Sequence, residues 1–404
     1  MKVLNVMNKS GKFQWSNVVV VSLAHLLHDV YSSFLAPLLP MLIDKLGMSY
    51  AGAGFLSVIT RLPSLLNPVI GLIADRVKIR YFIIFSPMVT ATAMSFLGLA
   101  PNYTALVILL FVMGLSSACF HVPGPVMIRH ISGNRIGMGM SMYMIGGELA
   151  RTLGPLVILG AVYYWGLGRT YWLIPFGVAA TGVLFWRLHN IDLSQDFHRS
   201  KKASNPGKAF RRALPVMGIL LGMSCFAGLM KASLTMFLPT YLHVEGGSIW
   251  RGGVYLAILQ FSGVLGVFAA GLISDHVGRK KTLLVAAGVA PVLMWFFCVS
   301  DGVWSILVLI VLGFFLFAPG PVVLAIIQDI GTESPSFING IFMMISFVAA
   351  AITVTLVGVL GDHIGLEATF KLSALIAFGS IPFVFALPEN KSPMKRTSLR
   401  DFED

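Results

Sequence analysis

The stretch Gly71-Leu72-Ile73-Ala74-Asp75-Arg76 returns as Gly271-Leu272-Ile273-Ser274-Asp275-His276, an offset of 200. Two further pairs keep nearly that spacing. Leu39-Pro40 followed by Gly47 becomes Leu238-Pro239 followed by Gly246, an offset of 199, and Pro123-Gly124-Pro125-Val126 becomes Pro319-Gly320-Pro321-Val322, an offset of 196. Three matches in order at almost one offset mark a duplication, so the chain reads as two similar halves.

Around these repeats the sequence is strongly apolar. Of 404 residues, 56% are hydrophobic and 11% charged, and the mean hydropathy is +0.84. A soluble domain carries about 25% charged residues, so this chain cannot cover a water-facing surface. At about 20 apolar residues per bilayer crossing, it divides into twelve predicted spans. Six lie in the first half, at 17–43, 50–74, 81–100, 103–128, 136–165 and 169–189. Six more follow at 213–243, 250–274, 282–300, 302–328, 337–361 and 366–387. The runs are too long and continuous for the short alternating segments of a membrane β-barrel. The expected fold is an all-α integral membrane protein of 12 transmembrane helices in two pseudo-symmetric six-helix bundles. Residues 1–189 would form the first bundle, 190–212 a basic cytoplasmic linker, 213–390 the second bundle and 391–404 a cytoplasmic tail. The first apolar run is longer than a signal-peptide core and is read as a retained helix. Such a pseudo-two-fold arrangement places the substrate site near the midplane, between the halves.

The formal net charge of +12 is orientation, not a nucleic-acid footprint. With the N-terminus placed inside, 22 of the 29 lysines and arginines fall on the cytoplasmic side, 4 fall outside and 3 lie within spans. That is a strong positive-inside bias, with both termini cytoplasmic. One loop, holding Asp329 and Glu333 without a cation, breaks the pattern. Cys119, Cys225 and Cys298 sit inside apolar runs without ligand spacing and read as buried free thiols.

The polar residues inside spans are the candidates for function, because charge in hydrocarbon is costly unless it meets a cavity or a partner. In span one His25, His28 and Asp29 share a helical face. A carboxylate beside imidazoles suits a proton carrier, with Asp29 as the carrier, His25 tuning it and His28 on the substrate side. A purely structural hydrogen-bonded cluster is the other reading. Arg61, Arg151 and Lys231 are the three cations within spans, against two acids, Asp29 and Glu148. This surplus points to an anionic or zwitterionic small molecule, which guanidinium forks grip well. Lys231 either faces the cavity, to pair with Asp29 or hold substrate, or snorkels to an interface. Glu148 and Arg151, three apart, form either an intrahelical pair or a second protonatable site with a substrate clamp. His121, just before Pro123-Gly124-Pro125, serves gating or proton passage, or simply caps the helix, and those breakers should kink span four. Gln260, Tyr143, Phe261 and Phe342 line a pocket or pack helices.

The Gly71–Arg80 and Gly271–Lys280 stretches resemble the signature loop of the major facilitator superfamily, G-x-x-x-D-R/K-x-G-R/K-R/K. The second copy fits apart from His276. The first keeps Gly71, Asp75, Arg76 and Arg80 but has Lys78 in place of glycine. The resemblance implies that Gly71 allows close helix approach and that Asp75 meets the N-terminus of span eleven to lock one end of a transport cycle, with Asp275 as its repeat. A solvated loop acid is the plainer reading of Asp75. Within the superfamily, His25-x-x-x-Asp29, Phe120-His121 with its following proline, and Gly146-Gly147 with Gly154-Pro155 resemble fosmidomycin-resistance exporters. Gly154-Pro155 is similar to a shortened antiporter motif, while Glu148 and Arg151 depart from that pattern. The resemblance implies a monomer in a bacterial inner membrane.

No phosphate-binding Gly-Lys loop is present to couple ATP, no filter sequence suggests a channel, and no nucleophile or metal cluster suggests an intramembrane enzyme. No cofactor or metal is expected. The leading expectation is a secondary active, proton-coupled exporter of a small organic anion or drug-like compound. Proton-coupled uptake or facilitated diffusion of an organic anion is the alternative.

Overall fold

A computed structural model describes residues 13–67, 80–133, 136–190, 206–330 and 335–388. Among the described residues every regular element is helical. In a bilayer core each backbone N–H and C=O must be satisfied within the chain, and a helix does so locally. Eleven helices, or helices joined end to end, are long and apolar enough to cross a membrane. The predicted second span, 50–74, is described only to Asn67, so the expected count of twelve is not complete here.

The first half comprises α1 (Trp15–Ser32), α2 (Leu35–Leu46), α3 (Tyr50–Arg61), α4 (Arg80–Ser95), α5 (Tyr103–His121), α6 (Gly124–Ile131), α7 (Ile136–Trp165) and α8 (Ile174–Leu188). The second comprises α9 (Pro206–Ala232), α10 (Leu238–Val244), α11 (Ile249–Val277), α12 (Arg279–Val299), α13 (Gly302–Phe317), α14 (Pro319–Asp329), α15 (Pro335–Ile364), α16 (Leu366–Ala377) and α17 (Ser380–Ala386). The junction of α11 and α12 is Gly278 at φ +104°, a conformation that only glycine adopts readily. That is why the signature stretch carries glycine there.

The two halves break their helices at equivalent points. Span one is interrupted at Ser33–Phe34 between α1 and α2, where Pro37 cannot donate to the Ser33 carbonyl. The same level in span seven holds a π-helical turn, Ser233–Phe237, between α9 and α10. Span four breaks between His121 and Gly124, as the Pro-Gly-Pro run predicts, and span ten breaks between Phe317 and Pro319.

Glycines bring the helices together. A Cβ on Gly146 of α7 would lie 2.5 Å from the Ser22 carbonyl of α1, and one on Gly147 would lie 2.6 Å from the His25 ring. A Cβ on Gly54 of α3 would meet the Val354 carbonyl of α15 at 2.8 Å. Backbone approach of this kind is how apolar helices associate in lipid.

Three apolar clusters form the core. One runs across both halves, through Leu38, Leu56, Ile158, Phe237, Leu256 and Val357. The others stay within a single half, around Phe120 and Ile128 in the first and around Met217 and Val322 in the second. The halves are thus sealed together at the end holding α2 and α10, and their cores divide towards the other. Large apolar side chains such as Ile108, Phe176, Phe268 and Trp304 stay more than half exposed, as a lipid-facing surface requires.

Candidate functional site

Where the core divides lies a cavity of about 790 Å³, within the range of small-molecule sites. The first half walls it with α1, α2, α3, α5 and α7, and the second half with α9 and α11 to α17. The broken helices aim their polar side chains into it. Asp29 lies four residues before the first break and Lys231 two before the second.

Asp29 sits within a histidine pair. His25 Nε2 is 3.3 Å from Asp29 Oδ2, His121 Nε2 is 3.3 Å from Asp29 Oδ1, and the two Nε2 atoms are 3.3 Å apart. His25 Nδ1 donates to the Tyr143 carbonyl at 2.7 Å, and its ring stacks on Tyr143 at 3.9 Å. His121 Nδ1 donates to the Ser117 carbonyl at 2.9 Å. Each ring's Nδ1 proton is thereby committed. In the neutral tautomers both Nε2 atoms present lone pairs, and the carboxylate presents more. Three acceptors then face one another with no donor between them. Such a cluster is satisfied by capturing a positive charge, and one proton is enough. A divalent ion would meet the same geometry, since these ligand atoms all lie within 4.8 Å. Three fixed cations share the cavity, however, and they penalise a doubly charged occupant more than a proton.

The cavity reaches this cluster through Asp29 and His121, while His25 stands behind them against Tyr143. His28 does not line the cavity. Its ring is fully buried, stacked 4.6 Å from Phe120, and the expected substrate contact is corrected to a packing position. One residue before Asp29 and three after His25, it turns towards Phe120 of α5 instead.

The other candidates divide cleanly. Arg61, Arg151, Lys231 and Gln260 all line the cavity, as do Ser57 beside Arg61 and Ser224 and Thr235 beside Lys231. Lys231 does not pair with Asp29; its ammonium rests 4.9 Å from the Phe317 ring. Arg151 Nη1 holds Glu148 Oε2 at 3.1 Å along α7, with Arg151 on the wall and Glu148 behind it. Phe342 lines the cavity, whereas Phe261 is half-exposed on the outer surface. Gly154 fits against the Val30 carbonyl of α1 and against Ser33 at the break that follows it, and Pro155 lines the cavity. Arg80 opens α4 and stacks over Tyr81 at 5.3 Å. Asp275 is in the last turn of α11. Gly71, Asp75 and Arg76 lie outside the described residues.

One group escaped the sequence reading. Asp362, near the end of α15, accepts hydrogen bonds from the Tyr50 and Ala51 amides at 2.7 and 2.8 Å, capping α3 across the two halves. Gly358 and Gly361, both packed on Tyr50, are the signal that could have revealed it. Nearby, Asp44 and His243 lie 3.3 Å apart, also across the halves.

The helical fold is shared with solved transporters. A bacterial homologue of the human lysosomal transporter Spinster, inward-facing and unoccupied, superposes with a TM-score of 0.74 at 14% identity, over 93% of this chain and 96% of that one. The nucleoside transporter NupG gives 0.74 at 13% identity, over 92% and 99%. Among curated proteins, the fosmidomycin resistance protein of Escherichia coli (strain K12) is 24% identical over 383 residues, 92% of each chain. An MFS-type transporter of Bacillus subtilis (strain 168), YfnC, is 23% identical over 398 residues, 95% of each. The multidrug resistance protein MdtG of Salmonella arizonae is 23% identical over 294 residues, 69% of this chain and 71% of that one. Residues 21–353, which supply both the histidine-flanked Asp29 and the cation-lined wall, match the family model of the Major Facilitator Superfamily, and to that superfamily of transporters the chain belongs.

Proposed function

We propose that this transporter is a proton-coupled exporter of small organic anions, working by alternating access. The carrying observation is the facing of Asp29, His25 Nε2 and His121 Nε2 at 3.3 Å on the wall of a cavity that also holds Arg61, Arg151 and Lys231. The first group takes up and releases a proton. The second holds an acidic substrate, with Gln260 as a neutral hydrogen-bonding partner. Export is supported by the Gly154-Pro155 segment and by the resistance named in the Escherichia coli and Salmonella arizonae relatives. If the charge bias sets orientation, the divided-core end faces the cytoplasm. The described form is then the one that loads from inside, in a bacterial inner membrane, as a monomer with both termini cytoplasmic.

One observation favours uptake instead. The triad and the cations share one cavity, so a proton captured by Asp29 removes a negative charge beside the anion site. Proton and anion then assist each other's binding, as symport requires.

Proteoliposomes holding the full chain and an internal pH dye separate the two. An imposed gradient of an organic anion should move protons opposite to the anion for export by exchange, and with it for uptake. Asp29→Asn should abolish the proton signal in either case. Anion flux that carries no protons in the unmodified protein sinks the coupling.

A further inference from the structure

The two halves build unlike walls. Apart from Leu35, Ala36 and Pro155, every first-half residue on the cavity is polar or charged. Among the described residues the second half contributes one charge, Lys231, and otherwise presents mainly methyl groups and rings. Along α12 the lining positions are Leu283, Ala286, Ala287, Ala290 and Pro291, one continuous face at helical spacing. Four of the five have little bulk, so this face is recessed. Phe315, Phe317 and Phe347 close it from α13 and α15.

The recess continues outward. Pro291 also lines a second, wholly apolar groove of about 170 Å³ between α12 and α16, with Trp295, Phe296, Leu375 and Phe378 on its bilayer side. Ala377 and Ser380, flanking the break between α16 and α17, line the central cavity opposite Ala290. Pro291 is thus common to the cavity's apolar end and to a groove in the lipid-facing surface.

We infer that the substrate is an amphiphilic anion, whose acidic head sits on Arg61, Arg151 and Lys231 and whose apolar body lies along the α12 face towards Pro291. This rests on the anionic reading of the site and adds the apolar half of the ligand. A small, fully hydrated anion would leave the α12 face against water. An uncharged lipid would leave three cations without counter-charge. A molecule with one acidic end and a hydrocarbon or aromatic body satisfies both walls at once, and Lys231, resting on Phe317, stands where they meet.

A homologous series decides it. The full chain in lipid nanodiscs is titrated by calorimetry with n-alkylphosphonates from methyl to octyl, with empty nanodiscs subtracted. Each added methylene buried on the α12 face should tighten binding about fourfold, the gain fading once the chain reaches Pro291. Arg61→Gln should weaken every member by a similar factor and leave the increment per methylene intact. Ala287→Phe, which narrows the recess, should make the gain fade at a shorter chain.

A flat series in which methylphosphonate binds as well as octylphosphonate, and still depends on Arg61, overturns the amphiphile while the anion site stands. Chain-length gains that are equal for n-alkanols and indifferent to Arg61→Gln overturn the anion site and this inference together. Failure of every alkylphosphonate to bind overturns both as well. The series on the unmodified protein is decisive even where Ala287→Phe does not fold.

Discussion

Spans one and four of the first half, and seven and ten of the second, occupy equivalent places and break at equivalent residues, yet they carry opposite chemistry. In the first half Asp29 faces His121 across the α1–α5 contact at 3.3 Å. In the second Lys231 faces Phe317, the residue 196 positions after His121, at 4.9 Å. In the proposed mechanism one pair trades a proton, while the other holds an ammonium over a ring. The duplication preserved the helix breaks, which alternating access needs in both halves, and freed the side chains at those breaks to diverge. A symmetric pair of acids or of cations would place like charges in one low-dielectric cavity, where their repulsion is strongest. On the proposed mechanism this asymmetry leaves proton chemistry to one half and charge anchoring to the other.

The strongest way to break this comparison is at Asp29. Asp29→Asn keeps the shape and removes the charge that neutralises a histidinium. Proton movement coupled to substrate should fall at least about a hundredfold, on the scale of losing a proton-transfer group, as read by the pH dye. His121→Phe, which copies the second half's residue into the first, should cost nearly as much, because His25 alone then faces Asp29. Retained coupling in His121→Phe would show that the α1–α5 contact does not carry the proton.

How far the site was legible follows from sequence distance. His25 and Asp29, one helical turn apart, were placed together by spacing alone, as were Glu148 and Arg151. His121 was picked out, but its contact with Asp29 spans 92 residues, and no local period reports it. His28 shows the limit of a one-helix argument, since residues three apart share a face while one of them still turns into the protein. The Pro123-Gly124-Pro125 run predicted the break in span four because proline and glycine act on the backbone directly, and the breaks in spans one, seven and ten were not foreseen. The repeats did not predict the unlike walls, since the polarity of a wall is a property of many helices at once. Asp362 escaped because its partners are backbone amides, so that only the neighbouring Gly358 and Gly361 hint at the contact.

The next prediction sharpens the second half's role. Lys231→Met keeps the stem and deletes the charge. Anion affinity should fall about tenfold, roughly the 1.4 kcal/mol expected of a partly solvated charge-assisted contact, with the direction of proton movement unchanged. Phe317→Leu removes only the cation–π contact and should weaken anion binding by about twofold to fivefold through a less well-placed ammonium. If Phe317→Leu costs as much as Lys231→Met in the same calorimetric titration, the ring touches the ligand itself.

The smallest expected effect tests whether the asymmetry extends to the ends of the molecule. The family resemblance implies that Asp75, at the inner end of span two, meets the N-terminus of span eleven. The structure shows the reciprocal contact at the other end, where Asp362 of α15 caps α3 through the Tyr50 and Ala51 amides. A carboxylate on an exposed helix N-terminus contributes about 0.3–1 kcal/mol, and the contact exists only while the halves are closed at that end. Asp362→Asn retains one acceptor and loses the charge. It should raise the population open at that end by about twofold to fivefold, measured as the rate at which a thiol reagent reaches a cysteine placed at Thr235. Asp362→Lys, which sets a cation against the same helix end, should open it further. If neither variant changes the labelling rate, the glycine-packed α3–α15 contact holds that end closed without the carboxylate, and the gate is then steric packing alone.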